Sequence, residues 1–591
     1  MVNGVHVSYL LLGLSFFLAT SLSAQPDREV APLSYSLYQT NDYRAHTQNW
    51  AAVQDSSGRM YFANNHGVLR FDGTYWTKAP SLNGGLIRSL AKDSAGTIFW
   101  GGQNDFGFLI VDSAGAPVLV SLAHLLPDSI PSYNNVWRIL PTKNGIYFRT
   151  NDYFFRYQNG RVEVLSEEGN YRHASFVDGR IVVYKYRTGL QYLDGDTFTM
   201  IFGSEIFSQD PIGGIVSLDN GNWLILTYFK GLFEYDGEQF KPLSSPINHI
   251  LKKAMGYKAI RLKSGKIALA TIHSGLFVID QKGNLVNSVH IEELPTTGLY
   301  QDDDLGLWAM LDGGIARVEV KSPFSVFGKE SGINVTSTAV TRHRRKLLIG
   351  NHSGLFQLQT YPDKPATFEN KHDFRQQVWS LLSTDHGLLI GAQEGLFVLR
   401  NGEIRALHTS LTTRRLDSSS VEQGLVLAGG LKEFRTLRFD EGEWELSEPV
   451  EGITTNTHHI VETPDSVLWL GSQFQGVTRI DNFYNNQKLK ITRFTQEDGF
   501  PERNDKYTTV FWLQDHIAVG TSRGLYRIGA SGRRVVPDSS LGPLFTGVGK
   551  DVYRIEQAPD GNWYIRSSDN GILKPQNDDG FLWDDRSLRW L

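Results

Sequence analysis

Cysteine is missing from all 591 residues, which excludes disulfides, thiolate metal sites, a cysteine nucleophile and a lipid-modified N-terminal cysteine. A surplus of positive charge is missing too. The 58 Lys and Arg stand against 63 Asp and Glu, a net charge of −5, so the chain has no overall basic excess for gripping a phosphate backbone, and nucleic-acid binding by this chain is disfavoured. Proline is sparse, at 21 residues. Long apolar runs are absent after Tyr9–Leu22, and that run is too short for the ~20 residues of a stable span. It ends at Ser21-Leu22-Ser23-Ala24 and reads as the core of a signal peptide over residues 1–24, although no Lys or Arg precedes it, only His6. Export with no cysteine fits a bacterial periplasm, where stability has to come from the core.

What is abundant is glycine, at 58 residues, and aromatic side chains, at 12%. A chain rich in both folds into many short strands joined by tight turns. Length alone suggests about four domains, a rule that repeat folds break. Self-similarity decides the matter. Asp55-Ser-Ser-Gly58, Asp93-Ser-Ala-Gly96 and Asp465-Ser-Val-Leu-Trp469-Leu-Gly471 share one frame. An apolar strand leads to an Asp-x-x-Gly-like turn, then to a second apolar strand often carrying Trp. A polar loop follows, and then a Gly that opens a third strand. That Gly recurs from residue 67 to residue 571, with two degraded copies at Asp152-Tyr153-Phe154 and Lys432-Glu433-Phe434. The twelve intervals average 42 residues, the period of a four-stranded propeller blade. A weaker fourth strand is visible at Thr197-Phe-Thr-Met200 and Lys490-Ile-Thr-Arg-Phe494, and Asp72-Gly73 or Asn401-Gly402 supplies hairpin turns before others.

Thirteen copies exceed one ring, since propellers close at four to eight blades. The expected fold is therefore all-β, two consecutive seven-bladed propellers over residues 25–322 and 323–591, the chain stopping inside a fourteenth repeat so that the second ring is incomplete. An open ring would leave strand edges unpaired and favour a homodimer.

The frame Asp-x-x-Gly-x-φ-Trp-φ-Gly-x-x-x-x-Gly-φ resembles the two-component regulator propeller repeat of periplasmic sensor regions in Bacteroidetes regulators. Gln48-Asn49-Trp50 with Asp72-Gly73-Thr-Tyr-Trp76 is similar to the first blade of the branch carrying a triple-tyrosine domain, and Asn135-Val-Trp137-Arg-Ile and Gln377-Val-Trp379-Ser-Leu fit that branch. The resemblance implies a sensor whose relatives continue into a triple-tyrosine β-sandwich, a membrane helix and an inner-membrane kinase or DNA-binding regulator; none of these is present in this sequence.

Propeller geometry puts the second-to-third-strand loops and the lead-ins to each inner strand on one face. This face carries the candidate ligand residues Asn49, Trp50, Arg88, Asn104, Asn135, Trp137, Arg172, His173, Tyr228, Gln377, Trp379, His459 and Lys506. Amides, arginines and aromatics converging on a channel mouth suit a small polar ligand with an apolar face, such as an oligosaccharide. The plainer alternative stays open for each residue: Trp50, Trp137 and Trp379 recur in register, as inter-blade packing residues do. A protein-binding surface scaffold is the competing function, and a propeller lyase or hydrolase a lesser one.

Catalytic and metal motifs explain themselves away. Gly520-Thr-Ser522-Arg-Gly524 matches a nucleophile elbow, but it falls between two strands of a blade, where the elbow needs a strand-to-helix turn. His458 and His459 point to opposite faces of a strand, and Asp302-Asp-Asp304 occupies a turn where Asp is expected anyway. No cofactor and no metal site is read from the sequence.

Overall fold

The computed structural model describes residues 29–585, apart from 83, 114, 131, 167–168, 323–324, 411, 486, 502–507, 530–531 and 576–580. The signal-peptide segment and Lys506 lie outside the described residues. Thirteen four-stranded antiparallel sheets follow one another along the chain. The strands of each are called A to D from the channel outwards.

The first sheet shows why this sequence makes a blade. Strands β2 (Asn49–Gln54), β3 (Met60–Asn64), β4 (Gly67–Phe71) and β5 (Trp76–Ala79) pair in sequence order. The Asp-x-x-Gly turn between strands A and B works as its residue types predict. Asp55 Oδ1 accepts the amides of Ser57 and Arg59, while Gly58 takes φ +85°. Asp93 does the same for Ala95 and Thr97. Between strands C and D, Asp72 accepts the amides of Thr74 and Tyr75, and Asp236 those of Glu238 and Gln239. Such short polar side chains satisfy turn amides that no ladder reaches.

The periodic glycine has a steric cause. Gly67 takes φ +126°, and a Cβ there would run into the Ala79 carbonyl at the end of strand D. The same carbonyl encounter recurs at Gly107, Gly275, Gly354, Gly395 and Gly476. A second glycine, near the end of strand B, lets the next blade approach. Cβ atoms at Gly101, Gly350 and Gly429 would collide with Val136, Val378 and Thr457 of the following inner strand.

Seven sheets form the first ring. Its seventh blade takes strands A to C from Thr296–Gln301, Leu307–Leu311 and Ile315–Val318, and its outer strand is β1 (Tyr35–Tyr38) from the N-terminal end. Tyr35 pairs with Val318 and Tyr38 with Ile315. Strand β2 then packs beside Thr296–Gln301, and the circle closes. An aromatic knot seals this seam. Tyr38 stacks on Trp308 at 5.9 Å, Phe71 on Trp76 at 4.5 Å, and Phe62 meets Trp308 edge-on at 5.2 Å. Every other seam of the ring is likewise apolar; Tyr61, Val68, Leu90 and Trp100 fill the one between the first two blades. Six further sheets, from Ser337 to Asp584, make up the second set among the described residues. The degraded copies are genuine strands, Phe154–Gln158 and Phe434–Asp440. Ser522 sits in a strand-to-strand turn between His516–Thr521 and Gly524–Ile528, without the helix a nucleophile elbow requires.

The N-terminal segment also touches the second set. Arg342 forms a bidentate pair with Glu29, and the Ala366 amide donates to the Val30 carbonyl. No helix among the described residues is long and apolar enough to cross a membrane.

Candidate functional site

A β-bulge near the start of the inner strand builds the site. In strand A of blade one the pairing skips from Asn49 to Ala51, leaving Trp50 unpaired. Pairing skips Arg88, Arg172, Gly213, Tyr257 and Thr297 in the same way in blades two, four, five, six and seven. In blade three Trp137 takes the equivalent place, just before Arg138–Thr142. A bulge re-aims one side chain and bends the strand. Here six bulge positions and Trp137 ring a cavity of about 560 Å³, and all seven residues line it. That volume lies within the ~300–1,000 Å³ range of small-ligand sites.

Aromatic and cationic side chains interleave at this mouth. The Arg88 guanidinium lies 4.2 Å from the Trp50 ring and 5.3 Å from the Trp137 ring, and the two indoles meet edge-on at 5.7 Å. Asn65 fixes the group, its Oδ1 accepting from Trp50 Nε1 and Arg88 Nη1, both at 3.0 Å. Tyr228 and Tyr257 pack 5.9 Å apart across the mouth, and burial pushes both phenols up, so they stay protonated and able to donate.

Beneath the bulge layer lies a second layer, of which only His173 is among the candidates expected from the sequence. Arg138, His173 and Lys258 follow the bulge positions of blades three, four and six, and Arg149 stands on strand B directly opposite Arg138. Burial, and then the charges of Arg138 and Arg149, hold Lys258 well below the usual ammonium range. Burial and the neighbouring Lys258, Arg138 and Arg149 do the same to His173, which is neutral at pH 7. The His173 ring also bonds Ser175 Oγ at 2.7 Å. The missed residues did leave a signal: Trp137-Arg-Ile-Leu and Tyr257-Lys-Ala-Ile put a cation inside an otherwise apolar strand. Arg149 ends Ile-Tyr-Phe-Arg in the same manner.

Of the candidate residues read from the sequence, Trp50, Arg88, Trp137, Arg172, His173 and Tyr228 line this cavity together. Asn135 stands behind it, accepting from Arg88 Nε at 3.4 Å. Two candidates are corrected. Asn49 is fully buried in the ring-closing seam, donating to the Gly314 and Thr47 carbonyls, so it is closure chemistry and meets no solvent. Asn104 takes φ +53° and does not line the cavity; its Oδ1 accepts from Ser132 Oγ and the amides of Tyr133 and Asn134, which commits that oxygen to holding the crossing into the third blade.

Gln377, Trp379 and His459 belong to the second set of blades. Trp379 is again a bulge residue, with the Arg414 guanidinium 4.2 Å from its ring, repeating the Trp50–Arg88 pair. Trp379 Nε1 donates to Gln393, and His352 meets the indole edge-on. His459 packs edge-on against Phe511 at 6.0 Å; burial and the charges of Arg415 and Arg554 push it down to about 3. His458 is the bulge residue beside it, pushed down to about 4 by burial and Arg414. The described residues contain no cluster of three metal-ligating side chains. Asp302 is committed to structure, accepting from Trp308 Nε1, Arg317 Nε and the Gly306 amide.

No family model matches the sequence, and no curated protein matches it. Among solved structures, the fold is similar to the extracellular domain assigned to the hybrid two component system BT3049 from B. thetaiotaomicron, at a TM-score of 0.65 and 17% identity, over 93% of this chain and 78% of that one. A streptogramin B lyase aligns with 49% of this chain at 12% identity and a TM-score of 0.40. The architecture, a run of four-stranded propeller blades along nearly the whole chain, is thus one that a two-component extracellular domain also has.

Proposed function

We propose that this chain is an exported ligand-sensing propeller module of a two-component or transcriptional regulatory system, and that it binds a small, nutrient-derived saccharide at the mouth of its first ring. The observation that carries this reading is the ring of six bulge residues and Trp137 facing one cavity, in which Trp50, Trp137 and Tyr257 offer aromatic faces and Arg88, Arg172 and Thr297 offer hydrogen-bond donors. Saccharides present apolar ring faces and hydroxyl edges, and such a rim meets both. The likeness to a two-component extracellular domain supports the regulatory setting and the placement outside the cytoplasm. In this reading the first ring spans residues 25–322 and the second begins at 323. The N-terminal segment that touches both would carry a shift of one ring to the other, and a membrane-bound kinase or regulator partner would receive it.

A screen of oligosaccharides by thermal shift on the full chain tests this. A hit is expected, and Trp137→Ala or Arg88→Ala is expected to weaken it at least tenfold. A hit that neither substitution weakens would move the site elsewhere. A pull-down partner with no small-molecule hit would favour the scaffold reading.

A further inference from the structure

We infer that the first-ring cavity is an anion site, so that its ligand carries a carboxylate, sulfate or phosphate group; this rests on the ligand-binding role proposed for the same cavity. Its lining holds Arg88, Arg138, Arg149, Arg172 and Lys258, and no Asp or Glu among the described residues. The chain as a whole is net negative, so this sign imbalance is local. The channel beyond is cationic too, but there the charge is matched. The pocket of about 500 Å³ that shares Arg138, Lys258, Trp50 and Leu90 with the mouth adds Lys92, Arg261 and Lys263 to its lining, and Arg261 is paired with Asp219 and Lys263 with Asp303.

Three features show that the cations are not explained by the fold. Arg138 and Arg149 are directly opposed across strands A and B, the position where like charges destabilise a sheet. Arg149 is only 5% exposed; its Nη1 donates to the Tyr171 carbonyl at 2.7 Å, but among the described residues neither its Nε nor that of Arg138 has a hydrogen-bond partner, and no carboxylate meets either charge. Leaving a buried charged donor unmatched is costly. The second set of blades supplies an internal comparison. There Arg415, which follows bulge residue Arg414, holds Asp417 two residues on through bonds of 2.6 and 2.7 Å, and Arg554 likewise holds Glu556 at 2.8 Å. The residues two on from Arg138, His173 and Lys258 are Leu140, Ser175 and Ile260. The same strand geometry carries its counter-charge in one set of blades and omits it in the other. An incoming anion supplies what the first ring omits, while Trp50, Trp137 and Tyr257 offer flat faces to the body that bears it.

The full chain is melted in sodium sulfate and in sodium chloride at matched ionic strength, and titrated calorimetrically with trigalacturonate, a sulfated disaccharide and neutral maltotriose. Sulfate stabilises proteins generally, so the readout is the excess shift lost in Lys258→Met and, where it folds, Arg149→Met. Sulfate is expected to raise the wild-type melting temperature more than that of either variant. Lys258→Met without added anion is expected to melt above wild type, because a repulsive buried charge is gone. At least one charged saccharide is expected to bind at least tenfold tighter than maltotriose, with an advantage that shrinks as salt rises. Which of the charged probes binds separates carboxylate from sulfate. Equal sulfate shifts in wild type and both variants, or maltotriose binding as tightly as the charged probes, overturn the anion site; in the second case the sensing reading survives. A Lys258-dependent sulfate shift with no saccharide binding sustains the anion site and removes the saccharide.

Discussion

At the residue scale, single side chains and single missing side chains hold the blades in place. Gly395 takes φ +151°, with the His408 carbonyl where a Cβ would stand, so Gly395→Ala is expected to cost at least ~2 kcal/mol in urea unfolding. Gly328 has open space around it and no positive φ, and its alanine variant should fall within ~0.5 kcal/mol of wild type. Asp302 is 3% exposed and accepts from Trp308 Nε1 and the Gly306 amide, so Asp302→Ala leaves buried donors unmatched, while Arg317 keeps Glu319, and should cost ~1–3 kcal/mol by the same measurement. The turn aspartates are legible in the sequence because each is dictated by three or four neighbouring residues, and the anchor glycines because the same carbonyl encounter repeats from blade to blade. Arg138, Arg149 and Lys258 are not. A cation inside a strand reads as a solvent-facing position until neighbouring blades are known to surround it, and in this ring they face the channel.

At the element scale, the bulge is the device that turns a repeat into a site. Trp50, Arg88, Trp137 and Arg172 stand out in the sequence by type and register, but the reason they converge is an unpaired residue that no alternation pattern displays. Asn49, one residue away from Trp50, shows how sharp the distinction is: Asn49 is sealed in the ring-closing seam and Trp50 lines the cavity. The closing strand β1 is the element least visible beforehand, since Tyr35-Ser-Leu-Tyr38 carries neither the turn Asp nor the anchor Gly of the repeat. Removing residues 1–39 is expected to leave Ile315–Val318 as an open edge, to make the seventh blade the first site of proteolysis, and to abolish the ligand-induced thermal shift. An unchanged digestion pattern would show that the ring closes without β1.

At the scale of the whole molecule, thirteen sheets were countable because one period repeats, and the pairing of the first strand with the seventh blade was not, because it obeys no period. Charge also acts at this scale. His173, His458 and His459 are all held below the ordinary imidazole value of 6.5, burial first and neighbouring cations second. The unfolded chain therefore binds more protons than the folded one below pH 6.5, and stability falls as the pH falls, by up to ~1.4 kcal/mol per unit for each histidine still neutral. For His458 the loss runs down to about 4 and for His459 to about 3. His516 acts in the opposite sense: burial lowers it, but its bonds to Asp515 and Asp538 raise it further, and its contribution is lost as the pH rises through its raised value. His343 is lowered too, by burial and Arg344, and with four histidines against one the urea midpoint is expected to drop between pH 7 and pH 5, and His459→Gln to flatten that slope. The closure by β1 carries a consequence in time. Tyr35–Tyr38 is made about 280 residues before its partner Ile315–Val318. Contacts of such separation are the slow ones. Blades two to six pair from neighbouring sequence as they appear, whereas the aromatic knot of Tyr38, Phe71 and Trp308 can set only when six blades already stand. The cavity, which needs Trp50 beside Thr297, therefore comes into being as the last step of folding the first ring.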